Sequence, residues 1–98
     1  MTSIVNTRQA FAKALHQCRA HKGLTQEDFG EKSSRTYVST LERGLKSPTL
    51  DKIDDLAGVM HIHPMVLLLL TYAELSDNLD TLCEEIRKEV AEISNEAD

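Results

Sequence analysis

Polar side chains suited to reading DNA are concentrated in one short stretch of this sequence. Residues 24–44, LTQEDFGEKSSRTYVSTLERG, predict two short helices around a tight, serine-rich corner. In the second of these helices Val38 and Leu41 are spaced to face a core, and the side chains left on the outer face are Arg35, Thr36, Ser39, Thr40 and Arg43. A helix that follows a sharp turn and carries polar groups on its outer face is a rigid probe for a DNA groove. The stretch therefore indicates a DNA-binding unit.

The distribution of charge supports this interpretation, although the net charge of −5 does not. Residues 1–49 contain eight Lys and Arg residues against four Asp and Glu, whereas residues 50–98 contain three against twelve. The positive excess therefore lies in the half with the predicted DNA-binding unit, where it can neutralise phosphates locally.

Length and composition favour one soluble domain. Apolar residues make up 41% of the 98 residues, which is enough for a single core. The longest apolar run, residues 65–70, is far shorter than the ~20 residues that cross a bilayer, and the N-terminus lacks the basic-then-apolar order of a signal peptide. We expect a cytoplasmic protein with no membrane partner.

Helices on both sides must position the DNA-binding unit, because no sustained β-type alternation is present and the fold class is predicted as all-α. Helix one extends from an N-cap at Asn6 to Gly23, and Thr25 caps a second helix of barely two turns. Either serine of the corner, Ser33 or Ser34, can cap helix three.

The helices after the corner predict an interface with a second subunit. Thr49 caps helix four, whose apolar residues recur at helical spacing: Ile53, Leu56, Ala57 and Met60. Helix five begins near Pro64 and is apolar on nearly every face, so one face can fill the core while the other needs a second cover. An amphipathic helix of about 18 residues then ends the chain, with its apolar residues three or four positions apart.

We divide the chain into a DNA-binding domain at 1–75, with the helix-turn-helix itself at 25–43, and a C-terminal helix at 76–98. The C-terminal helix is expected to extend an interface with a second subunit or another partner. The predicted dimer interface comprises Met65, Leu68, Leu69, Tyr72, Leu79, Leu82 and Ile86.

Patterns typical of metal binding or catalysis are missing from the sequence. Four histidines are present, but a structural zinc site needs about four convergent ligands, usually with a Cys-x2-Cys pair. No nucleophile elbow, phosphate-loop glycine pattern or metalloprotease string occurs. We predict no metal, no cofactor and no enzymatic activity, and interpret Cys18 and Cys83 as small, reduced core residues.

Four strings of this sequence resemble the Xre or Cro/C1-type helix-turn-helix regulators of bacteria and their phages. They are GLTQE at 23–27, RTYVS at 35–39, LERG at 41–44 and KSPTL at 46–50, and they keep the order and nearly the spacing of the family. The resemblance covers about residues 8–70. It implies a five-helix, lambda-repressor-like DNA-binding domain, to which this chain adds the C-terminal helix.

The resemblance also implies which side chains touch DNA. Arg35, Thr36 and Thr40 match positions that read base edges, since arginine can pair with guanine O6 and N7 and threonine can use its hydroxyl or methyl group. Contacts to phosphates are implied for Gln26, Tyr37, Ser39, Arg43 and Lys46. An ion pair between Arg19 and Glu42 would hold helix one to helix three. The alternative for the polar residues is an ordinary solvated surface, and for Tyr37 a ring that seals the domain edge.

The corner between helices two and three departs from the family pattern by about two residues. Family members usually have a glycine and an apolar residue there, whereas this chain turns with Lys32, Ser33, Ser34 and Arg35. Either helix two loses its last turn or helix three begins earlier, and the angle between the two helices can differ accordingly.

The function expected from these features is a transcriptional regulator that binds a palindromic operator as a homodimer and acts as a repressor or autoregulator. Its two reading helices would enter successive major grooves roughly 34 Å apart. RNA polymerase is a further candidate partner. The rival hypothesis is an antitoxin-like or other protein-interaction module, in which the C-terminal helix binds a different protein through Leu79, Leu82, Ile86 and Val90.

Overall fold

Five α-helices and one 3₁₀ turn form the fold in the computed structural model, which describes residues 6–76 and 78–96. In chain order they are α1 (Thr7–His21), the 3₁₀ turn (Gln26–Phe29), α2 (Arg35–Glu42), α3 (Leu50–Met60), α4 (Pro64–Glu74) and α5 (Leu79–Glu96). No strand occurs in the described ranges, and the all-α prediction is confirmed. The described residues do not include 1–5 of the predicted DNA-binding domain, or 77, 97 and 98 of the predicted C-terminal helix.

Side chains next to the helices determine where three of them begin. The Asn6 side chain accepts a hydrogen bond from the N–H of Gln9 at 2.9 Å, and the N–H of Asn6 donates to the Gln9 side chain at 3.1 Å. Thr49 Oγ1 accepts from the N–H of Lys52 at 3.2 Å and caps α3. Pro64 is the first residue of α4, where its missing N–H leaves no hydrogen bond unmade. All three predicted starts are confirmed.

The predicted second helix is shorter than expected, because it consists of a single 3₁₀ turn of four residues. The N–H of Thr25 donates to the carboxylate of Asp28 at 2.7 Å, so the predicted start is confirmed. The turn ends at Gly30, which adopts a φ of 53° that residues with a Cβ rarely take. Of the two alternatives for the short corner, the structure has the one in which the second helix loses its last turn.

The core lies between α1, α2, α3, α4 and the 3₁₀ turn. Seven large side chains from these elements are 0–1% exposed: Leu15, Phe29, Val38, Leu41, Leu56, Met60 and Leu67. Lys13 in the middle of α1 pairs with Glu74 at the end of α4 at 2.8 Å, whereas the last turn of α1 faces the beginning of α4. The two helices are therefore antiparallel. The inner stripe predicted for helix four, now α3, is buried throughout.

α4 and α5 are only partly covered by the rest of the chain. On α4 Leu67 and Thr71 are buried, while Tyr72 is 50% exposed. α5 contacts α4 near its beginning, but Val90 and Ile93 are 57% and 66% exposed. The radius of gyration of 14.9 Å exceeds the ~13 Å of a compact domain of about 100 residues, because α5 extends away from the core.

No helix among the described residues is by itself long and apolar enough to span a membrane. α3 and α4 reach the length together, but the chain bends by 109° between them.

Candidate nucleic-acid interface

The predicted DNA-reading helix is α2, and its inner face fixes it to the core. Val38 and Leu41 are both 0% exposed. Ser34 Oγ accepts a hydrogen bond from the N–H of Tyr37 at 3.1 Å and caps the beginning of the helix. The helix ends where Gly44 adopts a φ of 71°, the left-handed conformation that stops an α-helix. A helix of eight residues with both ends defined presents a rigid outer face.

Three of the predicted contact residues share one concave patch at the beginning of α2. Arg35 and Thr36 are exposed, and together with the half-buried Ser39 they line a shallow depression of about 210 Å³. A guanidinium group and two hydroxyl groups can both donate to and accept from base edges or phosphate oxygens. Arg35, Thr36 and Ser39, at positions i, i+1 and i+4 of the helix, are therefore neighbours on one surface.

Thr40, the third predicted base contact, is more restricted than the sequence indicates. It is half-buried, and its Oγ1 donates to the backbone carbonyl of Thr36 at 2.8 Å. Because that hydrogen is used inside the helix, the side chain offers a lone pair and a methyl group to a ligand. An exocyclic amino group or a thymine methyl group fits this chemistry.

Arg35 has an acidic neighbour that sequence reasoning missed. The Nε of Arg35 lies 3.6 Å from a carboxylate oxygen of Glu27 on the 3₁₀ turn, and the two side chains are 69% and 73% exposed. An ion pair this exposed is weak, so Arg35 remains free to turn toward a ligand. No local pattern could have revealed the contact, since it depends on how the short corner folds.

The residues predicted to touch phosphates flank α2 at both ends. At its beginning, Gln26 and Tyr37 are half-buried, and burial raises the pKa of the Tyr37 hydroxyl, which keeps it a hydrogen-bond donor. Beyond its end, Arg43 and Lys46 are exposed, and the Nε of Arg43 donates to the backbone carbonyl of Ser39 at 3.4 Å. Donors on both sides of a reading helix suit the two backbones that border a groove.

A buried ion pair locks the end of α2 to α1. The Nε and Nη2 atoms of Arg19 donate to the two carboxylate oxygens of Glu42 at 2.6 and 2.8 Å, and the Nη1 of Arg19 donates to the carbonyl of Leu24 at 2.9 Å. The side chains are 15% and 7% exposed. This is the pair implied by the family resemblance, and its two parallel hydrogen bonds fix angle as well as distance.

Two further side chains complete the environment of Glu42. Gln26 Nε2 donates to its carboxylate at 3.3 Å, and His16 Nδ1 lies 3.2 Å away. Burial raises the pKa of Glu42, but the hydrogen bonds from Arg19, His16 and Gln26 outweigh it and leave this pKa below its ordinary value. The hydrogen bond to Glu42 likewise raises the pKa of Arg19. Gln26 thus helps to hold the end of α2 in place.

The short corner is held by Lys52 of α3, which sequence reasoning missed. Lys52 Nζ donates to the backbone carbonyl of Lys32 at 2.8 Å and lies 5.4 Å from the centre of the Tyr37 ring. Ser33 is buried at 3% exposure, and its Oγ has no hydrogen-bond partner among the described residues. A lysine three positions after the Thr49 cap carries no local sign of this contact.

The predicted dimer residues form two groups in the structure. Met65, Tyr72 and Leu79 are 42–50% exposed. The others are half-buried: Leu68, Leu69, Leu82 and Ile86. Val66, at 39% exposure, was missed although it lies in the same apolar run. The structure therefore leaves apolar side chains exposed on α4 and at the beginning of α5.

The two cysteines lie on α1 and α5. Cys18 is buried on α1, and burial raises the pKa of its thiol while Lys22 opposes the shift. Cys83 is half-buried on α5 outside the core, so its interpretation as a core residue is wrong. Among residues 6–76 and 78–96 no three His, Cys, Asp or Glu side chains are placed to hold a metal ion.

The sequence is similar to known helix-turn-helix proteins. The sequence pattern of the helix-turn-helix family matches residues 15–67, which is more than half of the chain. An uncharacterised HTH-type transcriptional regulator of Sinorhizobium fredii, y4dJ, is 36% identical over 63 residues, covering 59% of this chain and 82% of that protein.

Two solved structures resemble the fold as a whole. Both are crystal structures of the clp gene regulator ClgR from Corynebacterium glutamicum, each with a TM-score of 0.67. One is 26% identical and covers 72% of this chain and 95% of the other. The second is 25% identical and covers 91% and 94%, respectively.

Proposed function

Because the chain belongs to the helix-turn-helix family of transcriptional regulators, of the Xre or Cro/C1 type predicted from the sequence, we propose that it binds a palindromic or pseudo-palindromic operator as a homodimer. DNA binding and transcriptional regulation follow from the family. The dimer, the symmetry of the operator and a role as repressor or autoregulator are the proposal. The observation that supports reading of the operator is α2, whose exposed beginning bears Arg35 and Thr36 while its end is held to α1 through Glu42. The exposed apolar residues of α4 and α5 support the dimer.

The proposed contacts divide into those that read bases and those that hold the backbone. Arg35 and Thr36 contact base edges from the beginning of α2, and Thr40 contributes its lone pair and methyl group. Phosphate contacts come from Gln26, Tyr37, Ser39, Arg43 and Lys46. Since Arg43 and Lys46 are cations that would displace counterions from phosphates, we expect affinity to fall with salt concentration.

A dimer with two-fold symmetry would recognise an operator with the same symmetry. A two-fold related pair of α2 helices reaches two half-sites roughly 34 Å apart, about one turn of B-DNA. We propose that Met65, Tyr72 and Leu79 contribute to this contact, because their exposed apolar surface would otherwise face water. A dimer on a promoter represses by excluding RNA polymerase or activates by touching it. The protein is proposed to act in the cytoplasm, without cofactor or catalytic activity.

Selection of bound sequences from random double-stranded DNA tests the proposal. We expect an enriched half-site that occurs twice with two-fold symmetry and a spacing close to one helical turn. Enrichment of a single, unrepeated half-site would contradict the homodimer. Failure to enrich any sequence would contradict specific reading by α2.

A second candidate function is favoured by the apolar residues of α5. Val90 and Ile93 are 57% and 66% exposed, which suits a helix that binds a different protein while the helix-turn-helix serves autoregulation. Replacing both with serine in the full chain distinguishes the two functions. If the substituted chain keeps its dimer mass and its DNA affinity, the helix serves another protein, whereas loss of the dimer assigns it to the homodimer.

A further inference from the structure

We propose that the distal half of α5, residues 87–95, packs into a groove between α1 and α4 of a second copy of this chain, and that the exchange is reciprocal. The inference rests on the proposed homodimer and specifies how the two copies hold each other. The apolar walls of the groove are Cys18 and Ala20 of α1, Ile62 of the segment before α4, and Val66 and Leu70 of α4. We call it the α1–α4 groove.

The apolar stripe of α5 is longer than the surface that the same chain provides for it. Leu79, Leu82, Ile86, Val90 and Ile93 follow one another at intervals of three or four residues and lie on one face of the helix. Leu82 and Ile86 are half-buried against their own chain, whereas Val90 and Ile93 are 57% and 66% exposed. An apolar stripe that extends beyond the surface packed against it indicates that another surface packs against the remaining side chains.

The α1–α4 groove has the size and chemistry to receive this part of the stripe. It is open to solvent, has a volume of about 550 Å³, and is lined by the second half of α1, Ile62 and the first turns of α4. Val66 on its wall is 39% exposed. Two helices that form a trough accept a row of side chains from a third helix by the same ridge-in-groove packing that builds helical cores.

Charges on the two surfaces are complementary. His21 and Lys22 lie at the α1 rim of the groove. On α5 the 3.6-residue period places three acidic residues along one edge of the stripe: Glu85, Glu89 and Glu92. Arg87 lies on the other edge and donates to Glu84 at 2.6 Å within its own helix. The acidic edge would therefore meet the basic rim, which sets the direction in which α5 lies.

The geometry points to a second copy because the chain's own distal α5 does not reach its own groove. α5 follows the end of α4, near the pair between Lys13 and Glu74, whereas the groove lies at the beginning of α4. Beyond Ile86 the helix extends into solvent. A two-fold axis lets each copy give a helix and receive one, so both stripes and both grooves are covered at once.

Cysteine crosslinking between separately tagged chains tests the exchange. All chains carry Cys18→Ser and Cys83→Ser; one adds Val66→Cys in the groove, the other Val90→Cys on the stripe. After mixing, partial denaturation, refolding and mild oxidation, we expect a disulfide-linked pair that contains both tags. The matched control is Lys88→Cys, since residue 88 lies on the opposite side of α5 from residue 90 and should give little of this product.

Three outcomes would overturn the proposal. A linked monomer from a chain with both Val66→Cys and Val90→Cys would show that each chain fills its own groove. Strong self-linkage of Val90→Cys would show that two α5 helices pair with each other. Equal linkage from Val90→Cys and Lys88→Cys, or none, in a chain that sedimentation shows to be dimeric would place the interface elsewhere. In each case operator selection still reports on the proposed function, so the two failures are distinguishable.

Charge exchange gives a second, independent measurement. Lys22→Glu should raise the dimer dissociation constant about two- to fivefold, since it sets a carboxylate against the acidic edge of α5. Adding Glu89→Lys in the same chain should restore it. Lys88→Glu changes the net charge by the same amount on the opposite side of α5 and should leave the constant nearly unchanged. No recovery in the double variant would contradict the proposed orientation.

Discussion

α2 and α5 both expose side chains to solvent, but the chain holds them in different ways. α2 has eight residues, its inner side chains Val38 and Leu41 are completely buried, and Glu42 ties its end to α1. α5 has 18 residues and is covered only along its first half. A polar face that must meet hydrogen-bond partners needs fixed geometry, whereas an apolar face needs only a complementary surface. This difference fits the proposed division between DNA recognition by α2 and assembly of the dimer through α5.

The largest expected effect comes from removing the lock on α2. Glu42→Ala should lower the free energy of unfolding by about 3 kcal/mol, because it leaves the guanidinium of Arg19 partly buried without its partner. Urea denaturation measures the change. The matched control is Glu84→Ala, which removes an ion pair with the same N–O distance of 2.6 Å but with side chains 72% and 60% exposed. We expect that control to cost about 0.5 kcal/mol or less.

The stability contributed by the ion pair between Arg19 and Glu42 depends on pH in a defined direction. The folded-state pKa of Glu42 lies below the ordinary value of 4.5, so its contribution to stability is complete above that pH. As pH falls below 4.5, the unfolded chain takes up the proton first, and the contribution is lost as the folded carboxylate is protonated too. The stability difference between the native chain and Glu42→Ala should therefore shrink in acid. A difference that stays constant from neutral pH into acid would contradict the role assigned to the carboxylate.

Local signals predicted the parts of this molecule that local chemistry determines. The caps at Asn6, Thr25 and Thr49 and the first residue Pro64 are confirmed, because each depends on a few neighbouring residues. The pairing of Arg19 with Glu42 was accessible only through the family resemblance, since the two residues are far apart in sequence. Contacts peculiar to the short corner had neither kind of signal. Lys52 of α3 contacts the carbonyl of Lys32 in a corner that follows an early end of the 3₁₀ turn. No sequence pattern specifies the position of that carbonyl.

Reading by the locked helix is tested by Arg35→Ala. On the selected operator we expect a loss of about 1 to 3 kcal/mol in binding free energy, because the proposed bidentate contact to guanine would be removed. On random DNA the loss should be much smaller. Filter binding or fluorescence anisotropy on both DNAs measures the difference. Equal losses on both would identify Arg35 as a phosphate contact instead.

Lys46→Ala is the control for this experiment, since Lys46 is proposed to touch phosphate. It should weaken binding to both DNAs alike and reduce the slope of log affinity against log salt by about 1. A loss confined to the operator would assign Lys46 to base reading.

A smaller effect is expected where α3 supports the corner. Lys52→Met keeps the aliphatic chain beside Tyr37 but removes the ammonium group that donates to the carbonyl of Lys32. We expect a loss of about 1 kcal/mol in unfolding free energy, measured by urea denaturation, and weaker operator binding. Lys32→Met is the matched control, because it removes an equal charge and leaves that carbonyl in place. Equal effects of the two substitutions would attribute the loss to charge alone.

The smallest expected effect concerns the acidic neighbour of Arg35. Glu27→Gln removes the carboxylate that lies 3.6 Å from Arg35 Nε and should raise operator affinity about two- to threefold. Glu31→Gln removes the same charge at another exposed position of the corner. If the effect comes from freeing Arg35, Glu27→Gln should raise affinity more than Glu31→Gln does, and the excess should vanish when Arg35→Ala is added. If Glu27→Gln still raises affinity more than Glu31→Gln in the Arg35→Ala background, Glu27 repels the DNA backbone directly. The ion pair with Glu27 would then not restrain Arg35 in base reading.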